Sequence, residues 1–217
     1  MPRNHRSTRD NAVQKNRPRQ STGGRNEVRI VGGRWRGRKL RFPALQDIRP
    51  SPDRVRETLF NWLAPAIQGA RCLDLFAGSG ALGLEALSRG AASVVLVDRD
   101  PVVARYLRQA ASDLGADACE VVTSDAGAWL AARGTPFDVV FLDPPFDAGL
   151  LPGLLGRLAG GGWLAPGALV YVECRAAAGE PAWPAGLRLH RAGRAGDVGY
   201  YLAAHAGRPA ADGEGQT

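Results

Sequence analysis

Apolar runs alternate with helical segments along the chain from about residue 70 onward. RCLDLF, SVVLVD, CEVVTSD and FDVVFLD have the length and apolar content of buried strands. Between them lie GALGLEALSRG, PVVARYLRQAASDLG and AGAWLAARG, which favour helices. This order predicts an α/β fold with a doubly wound, mostly parallel sheet. ALVYVEC, LRLHRAG and VGYYLAA predict later strands, and the last two are close enough to pair as an antiparallel edge.

The amino-terminal part of the chain is strongly basic. Residues 1–41 hold 13 basic and 2 acidic side chains, a net charge of +11, whereas the other residues hold 15 basic and 19 acidic ones, a net charge of −4. Such a segment suits a polyanion, because cationic side chains displace condensed counterions from a phosphate backbone. The alternative is a tail that serves only solubility.

These patterns divide the chain into four parts. Residues 1–26 are poor in apolar side chains and predict a disordered basic tail. Residues 27–48 predict a basic β-hairpin, with VRIVGG and KLRFP as strands around a glycine-bearing turn. Residues 206–217 predict a disordered carboxyl-terminal tail. The main domain spans residues 49–205 and begins with a helix that should pack on it through one apolar face, formed by Val55, Leu59, Phe60 and Leu63.

Several classes of protein are disfavoured by what the sequence lacks. No apolar run approaches the roughly 18 residues that a membrane span requires, so we expect a cytoplasmic protein without membrane contact. The cysteines Cys72, Cys119 and Cys174 form no C-x-x-C pair, and the histidines show no H-E-x-x-H spacing. We therefore predict neither a disulfide framework nor a metal.

A glycine-rich segment follows the first strand of the main domain. Residues from Gly78 to Gly83 fit G-x-G-x-x-G, and Asp98 lies 20 residues beyond Gly78. Taken literally, this is a dinucleotide fingerprint. Asp74, however, ends the preceding strand, where a carboxylate would repel a pyrophosphate but can accept a hydrogen bond from an ammonium group. The context favours S-adenosylmethionine, which carries an ammonium and no phosphate.

Three further aspartates follow strands. Asp98 can accept two hydrogen bonds from a ribose diol, which we favour over a plain surface carboxylate. Asp100 precedes Pro101 and is predicted first as the N-cap of the next helix. Asp125 follows the third strand, where a side chain can meet an adenine amino group, and helix capping is an equal alternative.

The segment Asp143-Pro144-Pro145-Phe146 follows an apolar strand and is the sharpest signal of chemistry. Two prolines cannot continue a strand ladder and hold the turn rigid. An aromatic amine is a poor nucleophile, because its lone pair is delocalised into the ring. The Asp143 carboxylate and the Pro144 carbonyl can accept its two hydrogens and localise that lone pair. Phe146 would stack on the extruded base, and a core aromatic is the alternative.

With these residues, the chain resembles the RsmD-type 16S ribosomal RNA guanine-N2 methyltransferases. The resemblance runs from about Arg29 to Ala203 and rests on RIVGGRWRGRKL, RPSPDRVRETLFNWL, DLFAGSGALGLEALSR and DPPF. It implies a Rossmann-like class I methyltransferase fold, with a mostly parallel seven-stranded sheet and an antiparallel edge. It also implies methylation of the 2-amino group of guanine 966 of 16S rRNA in the small ribosomal subunit or its assembly intermediate. We expect a monomer.

The resemblance also implies roles for individual residues. Asp143 with Phe146, in D-P-P-F, would hold the base. The cofactor would be held by Asp74, Phe76, Gly78, Gly80, Asp98 and Asp125. RNA phosphates would be met by Arg34, Arg36, Arg38 and Lys39. A place near the cofactor or RNA entrance is implied for Arg49, Arg54 and Arg56. The alternative for these residues is an exposed ion-pairing helix face.

Two rival functions remain at this point. A DNA adenine or cytosine amine methyltransferase could use the same D-P-P-F chemistry, although the basic hairpin argues for RNA. A noncatalytic RNA-binding assembly factor could keep the same shell, although it would have no physical need for the full set of acidic and glycine residues.

Overall fold

The computed structural model describes residues 26–42, 51–132, 134–146 and 149–206. Arg49 and nearly all of the two predicted tails lie outside these residues. The helices are α1 (Asp53–Leu63), α2 (Ala81–Ser88), α3 (Pro101–Leu114), α4 (Ala126–Trp129) and α5 (Leu151–Gly160). The strands are β1 (Asn26–Arg29), β2 (Lys39–Phe42), β3 (Arg71–Asp74), β4 (Ser93–Asp98), β5 (Cys119–Thr123), β6 (Phe137–Leu142), β7 (Leu164–Arg175), β8 (Leu187–Ala195) and β9 (Val198–His205).

Strands β3 to β9 form one sheet in the order β5-β4-β3-β6-β7-β9-β8. The pairs from β5 to β7 are parallel, and β9 runs antiparallel to both β7 and β8. The predicted seven-stranded Rossmann-like sheet with an antiparallel edge is therefore confirmed. The chain passes from β3 outward to β4 and later returns to β6 on the other side, and such a reversal opens a ligand crevice at the carboxyl ends of the strands.

Each face of the sheet has its own hydrophobic core. One core contains Leu59 and Phe60 of α1, Leu84 of α2 and Leu107 of α3, which confirms that the predicted first helix packs on the main domain. The other core lies beneath α4 and α5. Helix α5 was not predicted, and it presents Leu154, Leu155 and Leu158 to this second core. In the described part of the chain, no helix is long and apolar enough to cross a bilayer.

The β1–β2 hairpin is packed onto the carboxyl-terminal end of α2. The amide of Arg34 donates to the Ser88 carbonyl at 2.8 Å, and the amide of Trp35 donates to Ser88 Oγ at 2.9 Å. Gly33 adopts φ +76°, and a Cβ there would overlap the Ser88 carbonyl oxygen. The hairpin also contributes buried side chains to the first core, namely Val28, Ile30, Trp35, Leu40 and Phe42.

A buried ion cluster joins the hairpin to α1 and α2. Arg56 is fully buried, donates to Asp53 Oδ1 and to the Arg29 carbonyl at 2.6 Å each, and lies 3.9 Å from Glu85. Glu85 also pairs with Arg89 at 2.8 Å. The expectation of an exposed ion-pairing face is wrong for Arg56, because its guanidinium points into the domain. Such a cluster fixes geometry, since removing one partner leaves an uncompensated buried charge.

Candidate active site

Four carboxylates converge on the carboxyl edge of the parallel strands. Asp74 ends β3, Asp98 ends β4, Asp143 follows β6, and Glu173 lies near the end of β7. The strands β3, β4, β6 and β7 run in the same direction, so these ends lie at one edge of the sheet. That edge is where α/β sheets bind their ligands.

The glycine segment forms the predicted turn between β3 and α2. Gly78 has φ +48° and Gly80 has φ +75°, conformations that a side chain would strain. A Cβ at Gly80 would lie 2.8 Å from the Leu107 side chain. The Ala77 amide donates to the Val97 carbonyl at 3.0 Å, which fastens the turn to β4. The turn therefore brings bare backbone to the crevice.

Asp98 holds this turn from the neighbouring strand. Its Oδ2 accepts from the Gly78 amide at 3.0 Å and its Oδ1 from the Asp100 amide at 2.9 Å. Each oxygen keeps further acceptor capacity, because a carboxylate offers about four lone-pair sites. Asp98 is half-buried, so the carboxylate is fixed in orientation beside the glycine turn.

Asp100 and Asp125 both cap helices. Asp100 Oδ1 accepts from the Val102 amide at 2.7 Å with Pro101 as the first residue of α3, which confirms the capping prediction. Asp125 Oδ1 accepts from the Ala128 amide at 2.9 Å at the start of α4. Asp125 is exposed, and its contact with an adenine stays a prediction.

Of the two aspartates beside the glycine turn, Asp74 is buried more deeply than Asp98, with 2% of its surface exposed. Its Oδ2 accepts from the Gly83 amide at 3.2 Å, whereas Oδ1 has no hydrogen-bond partner among the described residues. Burial raises the pKa of Asp74 to about 7, and the charges of Asp98 and Glu173 add to this effect. A buried acceptor with a free oxygen fits a cationic donor, because a cation would relieve the cost of ionising it.

The D-P-P-F turn leaves the sheet directly beside this site. Asp143 is half-buried, Pro144 is buried and Pro145 is exposed. Phe146 is 38% exposed, so the alternative of a core aromatic is wrong. Burial raises the pKa of Asp143 well above its usual range, and the charges of Glu173 and Asp74 raise it further. The turn thus presents a basic carboxylate and an open aromatic ring at the same edge.

Sequence reasoning missed Glu173, which is buried in β7 with 2% of its surface exposed. Its Oε1 accepts from the hydroxyls of Ser51 and Tyr171, the latter at 2.8 Å. The available signal was a glutamate inside the apolar run ALVYVEC. A charge in a buried strand needs partners, and both partners are uncharged hydroxyls.

The predicted phosphate-binding residues lie along the hairpin. Arg34 and Arg38 donate to carbonyls at the end of α3, those of Gly115 at 3.3 Å and Asp113 at 3.0 Å. Arg36 is exposed. Since helices that follow parallel strands end at the amino edge of the sheet, the hairpin turn lies away from Asp143.

The strands of the hairpin also face the start of α1. Lys39 forms an exposed ion pair with Glu27 at 2.7 Å, and its strand partner is Arg29, in the pair next to the hairpin turn. A groove of about 290 Å³ is lined by these strands and by the start of α1, and it includes Ser51, which donates to Glu173. Arg29, which the sequence had not singled out, therefore lines the same groove as Ser51.

Comparison with known proteins decides the family. The profile of the family described as "Conserved hypothetical protein 95" matches residues 28–204. The chain belongs to this family. The chain is 52% identical over 179 residues to "Ribosomal RNA small subunit methyltransferase D" of Escherichia coli (strain K12), a match that covers 82% of this chain and 90% of that protein. The predicted membership in the RsmD-type methyltransferase family is thereby confirmed.

Solved structures give the same answer for the fold. The "putative methyltransferase yhhF" from Escherichia coli aligns with a TM-score of 0.78 and 51% identity, over 84% of this chain and 100% of that one. An RNA methyltransferase from Salinibacter ruber, solved in complex with S-adenosyl-L-homocysteine, aligns with a TM-score of 0.54 and 20% identity over 76% of this chain and 98% of that one. At that identity it shares the fold alone.

Proposed function

We propose that this member of the RsmD-type family transfers a methyl group from S-adenosylmethionine to the 2-amino group of a guanine in 16S rRNA. Guanine 966 is the position implied by the family resemblance. The observation that carries the proposal is the rigid Asp143-Pro144-Pro145-Phe146 turn at the carboxyl edge of β6, next to the glycine turn after β3.

The D-P-P-F turn has the groups that an exocyclic amine requires. The Asp143 carboxylate and the Pro144 carbonyl accept the two amine hydrogens, and the amine lone pair is then directed out of the ring plane. The exposed Phe146 ring stacks on the flipped base. Pro144 and Pro145 hold these groups in one geometry, so little reorganisation is needed at the moment of reaction.

The glycine turn has the groups that the cofactor requires. S-adenosylmethionine supplies a methyl group activated by a sulfonium charge. Asp74 would accept from the ammonium through its free Oδ1, and the carboxylate of Asp98 would accept from the ribose. Gly78 and Gly80 would allow close approach of the backbone to the cofactor, and Phe76 and Asp125 would also contact it.

The RNA backbone is bound by the hairpin. Arg36 is exposed, and Arg34 and Arg38 each keep donors beyond the one that bonds to α3. Lys39 belongs to the same surface, and Arg49 carries its predicted role from outside the described residues. Phosphate contacts of this kind position the RNA without reading its sequence. We further propose a monomer that acts in the cytoplasm on the small subunit or its assembly intermediate, without a metal.

The test is Asp143→Ala in single-turnover methyl transfer to 30S particles that lack the modification, at saturating cofactor. The rate should fall about 100-fold to 1,000-fold, because the lost acceptor acts on the developing charge. Calorimetric affinity for S-adenosylmethionine should stay nearly intact. Asp117→Ala, at an exposed aspartate after α3, is the matched control.

Three results would contradict this assignment. A near-wild-type rate for Asp143→Ala would remove Asp143 from the chemistry, and an equal loss of affinity and rate would move it into the cofactor site. Incorporation of label into duplex DNA rather than 30S particles would replace the proposed substrate.

A further inference from the structure

A buried carboxylate, that of Glu173, lies close to Asp143. In the parallel register of β6 and β7, Phe141 pairs with Tyr171 and Leu142, the last residue of β6, pairs with Val172. Continued by one residue, this register brings Asp143 opposite Glu173, and neighbouring strands lie roughly 4.8 Å apart. The charge of Glu173 acts on Asp143, as this proximity requires.

The surroundings of Glu173 favour its ionised form more than those of Asp143 do. Burial raises the pKa of Glu173, while hydrogen bonds from Ser51 and Tyr171 and the positive charge of Arg56 lower it. For Asp143, burial and the charges of Glu173 and Asp74 all raise the pKa. When the pair carries a single negative charge, the hydrogen bonds from Ser51 and Tyr171 favour its placement on Glu173.

We propose that Glu173 is a positioning residue that makes Asp143 the proton acceptor for the guanine amine, an inference that rests on the proposed function. As the amine nitrogen forms its bond to the methyl carbon and the sulfur–methyl bond breaks, the nitrogen becomes positively charged. It must then release one proton to restore a neutral amine. Above its raised pKa, Asp143 is ionised and its carboxylate can take that proton, and the negative charge of Glu173 nearby makes Asp143 a stronger base.

The charged and titratable groups around the pair come from four elements. Asp74 at the end of β3 adds negative charge and acts in the same direction as Glu173. Arg56 of α1 opposes it. Tyr171 of β7 donates a hydrogen bond to Glu173 and keeps its proton, because burial raises the pKa of Tyr171 well above the usual range. Tyr200 of β9 is the strand partner of Glu173.

The test is Glu173→Gln, which keeps an oxygen for Ser51 and Tyr171 and removes the charge. Carboxyl-resolved NMR titration of the ligand-free protein should show the pKa of Asp143 falling by about one unit or more, the size expected for losing an adjacent like charge. In the pH profile of the single-turnover rate, the acid limb should move to lower pH by the same amount. Glu120→Gln, at an exposed residue of β5, should move neither.

A second variant keeps the inference testable if Glu173→Gln does not fold. Tyr171→Phe removes one donor from Glu173, so the shared proton moves toward Glu173 and Asp143 should titrate at lower pH by a smaller amount. An unchanged Asp143 titration in a folded variant overturns the inference, as does a shifted titration with an unmoved acid limb. Failure of the wild-type protein to methylate guanine would instead overturn the proposed function, and the NMR titration does not depend on that result.

Discussion

Replacing Asp74 with asparagine should make the ligand-free protein more stable at neutral and alkaline pH. Asp74 has a pKa of about 7 in the folded protein, against an ordinary value of 3.8, and burial is the main cause. Asparagine has nearly the same shape and no charge. Its oxygen can still accept from the Gly83 amide, and its amide group can face the neighbouring carboxylates as a donor.

The sign follows from where the proton sits. Between pH 4 and 7 the folded protein holds a proton on Asp74 that the unfolded chain has lost, so stability falls as pH rises through this window. In Asp74→Asn this contribution is absent. The free energy of unfolding of the variant relative to wild type should therefore increase by about 3 kcal/mol from pH 5 to pH 8.

The measurement is urea denaturation of both proteins at several pH values, with Asp117→Asn as the exposed control. Cofactor binding should change in the opposite direction. Loss of a charged acceptor should lower the affinity for S-adenosylmethionine by about 10-fold or more. A difference in unfolding free energy that stays constant from pH 5 to pH 8 would refute the argument, because it would mean that Asp74 has an ordinary pKa in the folded state.

Two further predictions concern RNA binding and the docking of the hairpin. Phe146→Ala should leave thermal unfolding nearly unchanged, since the ring is 38% exposed, and should weaken binding of the target RNA by about 1 to 3 kcal/mol in a filter-binding assay. Equal RNA affinity would show that the ring does not stack on a base. Gly33→Ala should lower the free energy of unfolding by more than Gly37→Ala. Both glycines have positive φ, but only at Gly33 does a Cβ meet another atom within 4 Å, the Ser88 carbonyl. If denaturant titration gave similar losses of unfolding free energy for both variants, strain from the positive φ alone would account for the loss.

The elements that sequence predicted correctly are those with strong local signals. β4 and β6 are runs of apolar side chains, and the glycine turn between β3 and α2 requires residues that tolerate positive φ. Helix α5 was missed because Pro152, Gly153 and Gly156 are weak helix formers. It is held by the burial of three leucines, which is a tertiary effect.

The candidate site was predictable where its residues belong to a motif that is local in the sequence. Asp143 and its prolines form a local motif, whereas the position of Glu173 beside it depends on the register between two strands. No local pattern encodes that register. The hairpin gave a similar result, since its charge was evident but its docking against Ser88 depends on contacts more than 50 residues apart in sequence.

Helix α2 fixes the distance between the hairpin and the glycine turn. All eight residues of this helix are buried, so it cannot bend away from its neighbours, and it spans about 12 Å between the glycine turn and Ser88. The hairpin is bonded to one end of α2, and the glycine turn leads into the other. If the hairpin binds the RNA backbone and the glycine turn binds the cofactor, as proposed, α2 would hold the two ligands at a fixed separation. The enzyme would then select a target base by the distance between that base and the RNA phosphates bound to the hairpin.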